Sequence, residues 1–356
     1  MGAVRGDYVD QESIDPKEQT YGAIKGMLDS LGDERHTRFL TPEEAEKTRK
    51  ALSNEQVDTG VRLEDRGDEV VILTPINGSP AEEAGIESGD VLIAVNGQSV
   101  QGEDITAITE RLKGPEGSLV GLTVLRNGEA HEFSIERVEL EVPAATWNLV
   151  SGTGVAHLRL ALFSENSAAE LNRAITEARE AGAQRFVLDF RENTGGKVDQ
   201  AEKMAAQFLP AGSTIYIRRD AGGKEQETTV PNDSEPLDTP LVILVNAKSA
   251  SAAEIVAGAL RDNARAEAVG ETTFGTGTVL DDFVLSDGSS ILLAVAEWLT
   301  PSGTAIQGSG IEPDVEAGLE RGQKPRTPDE VRGLSEEKIF AEDAQLERAF
   351  EVLQEE

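Results

Sequence analysis

A serine that opens a helix directly after a buried strand is well placed to attack a carbonyl, and Ser251 has that setting. The apolar run Leu241-Val242-Ile243-Leu244-Val245 reads as a central strand, and a helical pattern runs from Ser251 through Ile255 and Leu260. The backbone of Ser251 and Ala252 then lies at a helix N-terminus, where the macrodipole is positive and free N–H groups suit a negative oxygen. Ser251-Ala252-Ala253-Glu254 is equally a capping box. Spacing alone is therefore also satisfied by a serine that merely starts a helix.

Other catalytic chemistries find little material. The chain has no cysteine, which excludes disulfides, thiol catalysis and cysteine metal sites. His36, His131 and His157 are far apart and none falls in a His-Glu-x-x-His pattern, so neither a zinc site nor any cofactor is expected. His157 lies on a strand between Ala156 and Leu158, where a buried histidine with ordinary hydrogen bonds is the simpler account. His36 sits in the linker between Gly32 and Arg38, where a turn role is expected. Asp and Glu number 66 against 33 Lys and Arg, a net charge of −33 over 356 residues. Such a chain repels polyphosphate, which argues against nucleic-acid partners and for a solvated acidic surface. No run of about eighteen apolar residues is present, so no integral membrane segment is expected. Residues 1–20 lack the basic start and apolar stretch of a secretory signal.

The elements that must position Ser251 fall into four parts, 1–55, 56–140, 141–325 and 326–356. The first is helical: Tyr21, Ile24, Leu28 and Leu31 make one apolar face, and Thr41-Pro42-Glu43-Glu44 is a capping box with proline at the first helical position. The second changes to short strands, such as Val70–Leu73 and Val91–Val95, with turns at Asn96-Gly97 and Asn127-Gly128 and a helix over Asp104–Leu112. The third alternates strands and helices, which predicts a mostly parallel sheet covered by helices. A surface hairpin is expected through Ala221-Gly222-Gly223. The last part carries a capping box at Thr327-Pro328-Asp329-Glu330 and a helix with Leu346, Phe350 and Leu353.

Set together, these segments resemble the carboxyl-terminal processing peptidases, also called tail-specific proteases, which are serine enzymes with a lysine base. The resemblance rests on Asn246-Ala247-Lys248-Ser249-Ala250-Ser251-Ala252-Ala253-Glu254, Phe274-Gly275-Thr276-Gly277-Thr278-Val279-Leu280, the turn Asp189-Phe190-Arg191-Glu192-Asn193-Thr194-Gly195-Gly196, and the closing phrases Thr300-Pro301-Ser302-Gly303 and Gly310-Ile311-Glu312-Pro313-Asp314. Residues 78–92 similarly resemble the PDZ domain of bacterial proteases. The resemblance implies an α/β, multidomain architecture with a helical N-terminal cap, a PDZ-like β-rich domain and an α/β peptidase core. It implies Ser251 as nucleophile, Gly195, Gly196 and Ala252 as oxyanion-hole donors, and an extracytoplasmic location. The implied partners are protein or peptide substrates with free C-terminal tails. The tail would add as a strand beside Thr59, Gly60, Val61, Arg62 and Leu63, with Ile105 and Ile108 lining the groove.

Two positions depart from the family. Thr276 stands where the family keeps its lysine, and Leu280 where it commonly has the glutamine that orients the lysine. A threonine hydroxyl is too weakly basic to take the serine proton, a task a desolvated lysine amine performs. Lys248 and Lys197 are the candidate substitute bases; the strand-to-helix turn keeps the Lys248 amine from the Ser251 hydroxyl, and Lys197 is the better of the two. The chain is therefore expected to be a peptidase with impaired activity or, as the alternative, a catalytically inactive tail-binding pseudopeptidase or regulatory or scaffold protein.

Overall fold

A computed structural model describes residues 8–10, 14–33, 36–52, 55–67, 69–76, 78–321 and 323–355. Among these the centre is a six-stranded sheet in the order Ala145–Val150, Val155–Leu160, Arg185–Asp189, Leu241–Val245, Glu267–Gly270, Val315–Glu316. Only the first pair is antiparallel. Strand periodicity divides the apolar residues between two faces. Leu241, Ile243 and Val245 join the core beneath the helices Ser167–Glu180, Val198–Ala205 and Ala252–Asp262, while Val242 and Leu244 pack against the C-terminal helix Ala344–Glu355. Leu346, Phe350 and Leu353 supply that helix's buried face.

A five-stranded sheet stands beside this layer. In it the long strand Ser290–Leu299 pairs with Arg38–Leu40, Thr214–Asp220 and Thr278–Val284. The hairpin expected at Ala221-Gly222-Gly223 forms, and its first strand is wedded to Ser290–Leu299. Residue 276 thus precedes a strand locked on one side by seven register partners.

The second region is a six-stranded antiparallel sheet with the helices Pro80–Glu83 and Ile105–Leu112. Its core gathers Ile72, Leu92, Val95, Ile108, Val124 and Ile135. The strands that enter and leave it, Glu55–Asp58 and Val138–Glu141, pair with each other and close the base.

At the N-terminus the helix Pro16–Asp29 buries Tyr21 and Leu28, but Leu31 lies past its end and is exposed. The Thr41 box closes as read, with Thr41 N–H donating to Glu44 at 2.8 Å and Glu44 N–H returning to Thr41 Oγ1 at 3.3 Å. The Thr327 box closes in the same way but starts turns rather than a helix, which begins only at Glu336. Gly333, at φ 78°, marks the break. His36 is buried against Asp33, its Nδ1 2.9 Å from the carboxylate. Glu34 and Arg35 of that linker lie outside the described residues.

Candidate active site

Two loops at the carboxyl ends of neighbouring parallel strands, 190–196 and 246–251, are laced into one unit. Ser249, fully buried, donates its hydroxyl to Phe190 C=O at 2.8 Å and accepts Asn246 N–H at 2.9 Å. Ala250 N–H donates to Asn193 C=O at 2.9 Å. Asn193 is buried as well: its Nδ2 donates to Leu160 C=O and its Oδ1 accepts Gly195 N–H, both at 2.8 Å. Buried polar groups so fully paired hold a loop rigidly.

Ser251 ends this loop with φ 56° and ψ −117°, a conformation that L-residues adopt at a cost and that turns the backbone sharply into the helix Ala252–Asp262. Gly195 lies directly against it. A Cβ on Gly195 would stand 2.6 Å from Ser251 Cβ and 3.0 Å from Ala252 N, and one on Gly196 would stand 2.3 Å from Phe163 O. Both glycines have φ in the left-handed half, 97° and 134°. Absence of a side chain is what lets the turn reach Ser251. Gly196→Ala is expected to destabilise the protein by at least about 2 kcal/mol, from backbone strain plus the collision with Phe163. A urea midpoint within error of the parent would contradict that packing.

Gly195 requires a correction as an oxyanion donor, because its N–H is already taken by Asn193 Oδ1. Its role here is steric. No acceptor among the described residues takes the N–H of Gly196 or of Ala252.

Glu254 was legible only as a cap, yet it organises the site. Its fully buried carboxylate accepts Ser251 N–H and Thr276 N–H at 2.8 Å each on one oxygen, and Gly275 N–H at 2.6 Å together with the Thr273 hydroxyl on the other. One oxygen thus brings the backbones of residues 251 and 276 side by side. Burial pushes the Glu254 carboxyl up, and the four donors oppose that shift. Thr273 Oγ1 also accepts Ile311 N–H at 2.7 Å, tying the closing Gly-Ile-x-Pro-Asp phrase to the hub. A clue was present in the sequence: Glu254 is a lone acid in an otherwise apolar helical stretch, 252–260, all of which is buried.

Thr276 and Leu280 are both half-buried, Leu280 beside a register shift in the strand pair Thr278–Val284 with Ser290–Leu299. The candidate substitute bases are engaged elsewhere. Lys197 Nζ pairs with Glu165, and Lys248 Nζ with Glu192 at 2.6 Å. His157 is fully buried, its Nε2 2.9 Å from Asp189 Oδ2, in register with Val187, whose side chain faces the C-terminal helix rather than the Ser251 helix.

In the antiparallel region, Val61, Arg62 and Leu63 line a cleft of about 200 Å³ with Thr109 and Leu112 of the facing helix and Lys113 just past its end. The expected helix residues are thereby shifted. Ile108 is fully buried in the core, and Ile105, one helical turn earlier, is half-buried outside the cleft lining. Helical phase explains the difference: the side chain at 108 joins the buried cluster that holds Ile72 and Val95, and the next residue, Thr109, falls in the cleft lining.

Residues 154–317 match peptidase family S41, and residues 71–126 match a PDZ domain. The chain is similar to the carboxy-terminal processing protease CtpA of Bacillus subtilis strain 168, at 35% identity over 317 residues, covering 89% of this chain and 67% of that one. A probable CtpA-like serine protease of Staphylococcus aureus strain N315 is 34% identical over 314 residues, 88% of this chain. The chain spans 62% of the length of that relative. Among solved structures, the photosystem II D1 C-terminal processing protease aligns with a TM-score of 0.55 at 32% identity, over 93% of this chain and 90% of that one. An S41 protease structure from Bacteroides fragilis, at 18% identity and a TM-score of 0.63, shares the fold.

Proposed function

Because the chain belongs to peptidase family S41, with a PDZ domain and the α/β architecture of the C-terminal processing proteases, we propose that it binds the C-terminal tails of proteins in its PDZ cleft and hydrolyses peptide bonds with Ser251, at a rate impaired by Thr276. The observation that carries this reading is the Glu254 carboxylate, whose single oxygen holds both Ser251 N–H and Thr276 N–H. Ser251 attacks the scissile carbonyl, and the N–H groups of Ala252 and Gly196 receive the oxyanion. The leaving amine departs with the proton that the Ser251 hydroxyl gives up, and water then adds to the acyl carbon, returning a proton to Ser251 as the carboxylic acid leaves. At 276 the hydroxyl cannot draw the serine proton, so Ser251 attacks largely as a neutral alcohol. Leu280 offers no hydrogen bond to a base at that position.

The engagement of Lys197 and Lys248 with acidic partners favours a second reading, a tail-binding protein without turnover. The parts proposed to act are the cap 1–55, the tail-binding unit 56–140, the catalytic unit 141–325 and the closing segment 326–356, acting outside the cytoplasm. Among the described residues no helix is long and apolar enough to cross a membrane.

Incubation with an unstructured protein ending in small apolar residues tests the reading. Slow cleavage that vanishes in Ser251→Ala is the expected result. Tail binding with no cleavage over days selects the second reading, and cleavage that persists in Ser251→Ala removes the serine from its role.

A further inference from the structure

The amides placed to receive a tail carboxylate already hold one. Thr59 N–H and Gly60 N–H donate to Asp58 Oδ1 at 2.6 and 3.0 Å, and Val61 N–H points at Thr59 Oγ1 at 3.5 Å. Gly60, at φ 85°, turns successive N–H groups to one side and makes a small anion-binding nest. Its backbone is fixed there: Ile76 N–H donates to Gly60 C=O at 2.8 Å, and any Cβ on Gly60 would stand 2.2 Å from Ser79. Asp58 is only partly exposed, and its second oxygen pairs with Arg62 Nη1 at 3.1 Å. Asp58 and Arg62 both line the cleft of about 200 Å³ whose apolar walls are Val61, Leu63 and Leu112.

Resting on the reading of this cleft as the tail site, we infer that Asp58 is a built-in competitor for the terminal carboxylate and cancels the preference that the nest would otherwise give to free-acid ends. A tail carboxylate entering the nest must displace Asp58 Oδ1 or approach it as a like charge, and both weaken its binding. A peptide whose end carries no charge escapes that penalty. It keeps the strand pairing along Val61–Asp65 and the apolar contacts, so the cleft as folded grips neutral ends or chain interiors as firmly as free acids.

The test is a titration of the full-length chain, carrying Ser251→Ala to prevent turnover, with a labelled peptide ending in Ala-Ala as free acid and as C-terminal amide. With Asp58 present, the two bind equally within a factor of about two. Asp58→Ala tightens the free acid on the order of tenfold and leaves the amide unchanged. Asp58→Asn, which keeps an acceptor oxygen but not the charge, moves the ratio part of the way and carries the test should the alanine variant fail to fold. A parent already preferring the free acid tenfold, or a folded variant whose ratio stays at one, overturns the competitor role while leaving the cleft a peptide site. Absence of binding by either peptide to every variant removes the tail site itself, and the competitor role with it.

Discussion

Thr276→Lys raises hydrolysis of a tail peptide by on the order of 10²- to 10⁴-fold, the contribution of a positioned general base. The backbone is already prepared for it. Thr276 N–H is held by Glu254 on the same oxygen as Ser251 N–H, so a longer side chain at 276 starts from a fixed point beside the proposed nucleophile, Ser251. Thr276 is half-buried, as are Val279 and Leu280, and partial loss of water lowers an amine's pKa toward the range where it accepts a proton. Leu280→Gln in the same chain adds a polar group to orient the amine. The gain is read as initial rate, and adding Ser251→Ala to the improved variant must return it to background. If neither the single nor the double substitution gains, residues 251 and 276 do not form one site.

Replacement of Arg191 by methionine has the largest expected effect on stability, a loss of about 3–5 kcal/mol. The guanidinium is fully buried and binds Asp189 through Nε at 3.0 Å and Nη2 at 2.8 Å, and Asp343 and Gln345 through Nη1 at 2.8 and 3.2 Å. Removing it takes the hydrogen-bonded guanidinium from both carboxylates between the sheet and the C-terminal segment, and leaves Asp189 only the more distant Arg159 at 3.7 Å. The acid response gives a specific signature. Burial alone would raise the Asp189 carboxyl, but the charge of Arg191, the hydrogen bond from His157 and the charge of Arg159 hold it far below the usual carboxylate range. A depressed folded pKa means stability present above the unfolded value of roughly 3.9 and lost as pH falls below it. In the methionine variant the same carboxyl sits buried with only Arg159, 3.7 Å away, in place of the bonded guanidinium, and takes up a proton at higher pH than in the parent. The gap in melting temperature between parent and variant should therefore be widest near neutrality and narrow toward pH 4. A gap independent of pH would show that the network contributes packing rather than charge.

Much of this was legible along the chain because it depends on neighbours in sequence. The run 241–245 followed by the helical pattern from 251 announces a strand feeding a helix, and the Thr41 box closes as spacing requires, because both features are decided within one or two turns of backbone. The glycine pair at 195 and 196 marked a close approach without revealing its partner.

The partners themselves came from distant parts of the chain. Glu254 reads locally as the third residue of a cap, and only the return of loop 273–276 makes its carboxylate a four-donor hub. Asn193 takes up the Gly195 N–H through a bond that no spacing rule anticipates, and helical phase against a particular core decides that Thr109, not Ile108, meets the cleft. Residue types and short-range periodicity determined the elements, their order and the presence of a serine at a helix start. Which buried donor each acceptor meets is a property of long-range packing, because a polar group taken from water must pair with whatever the completed fold brings within about 3 Å.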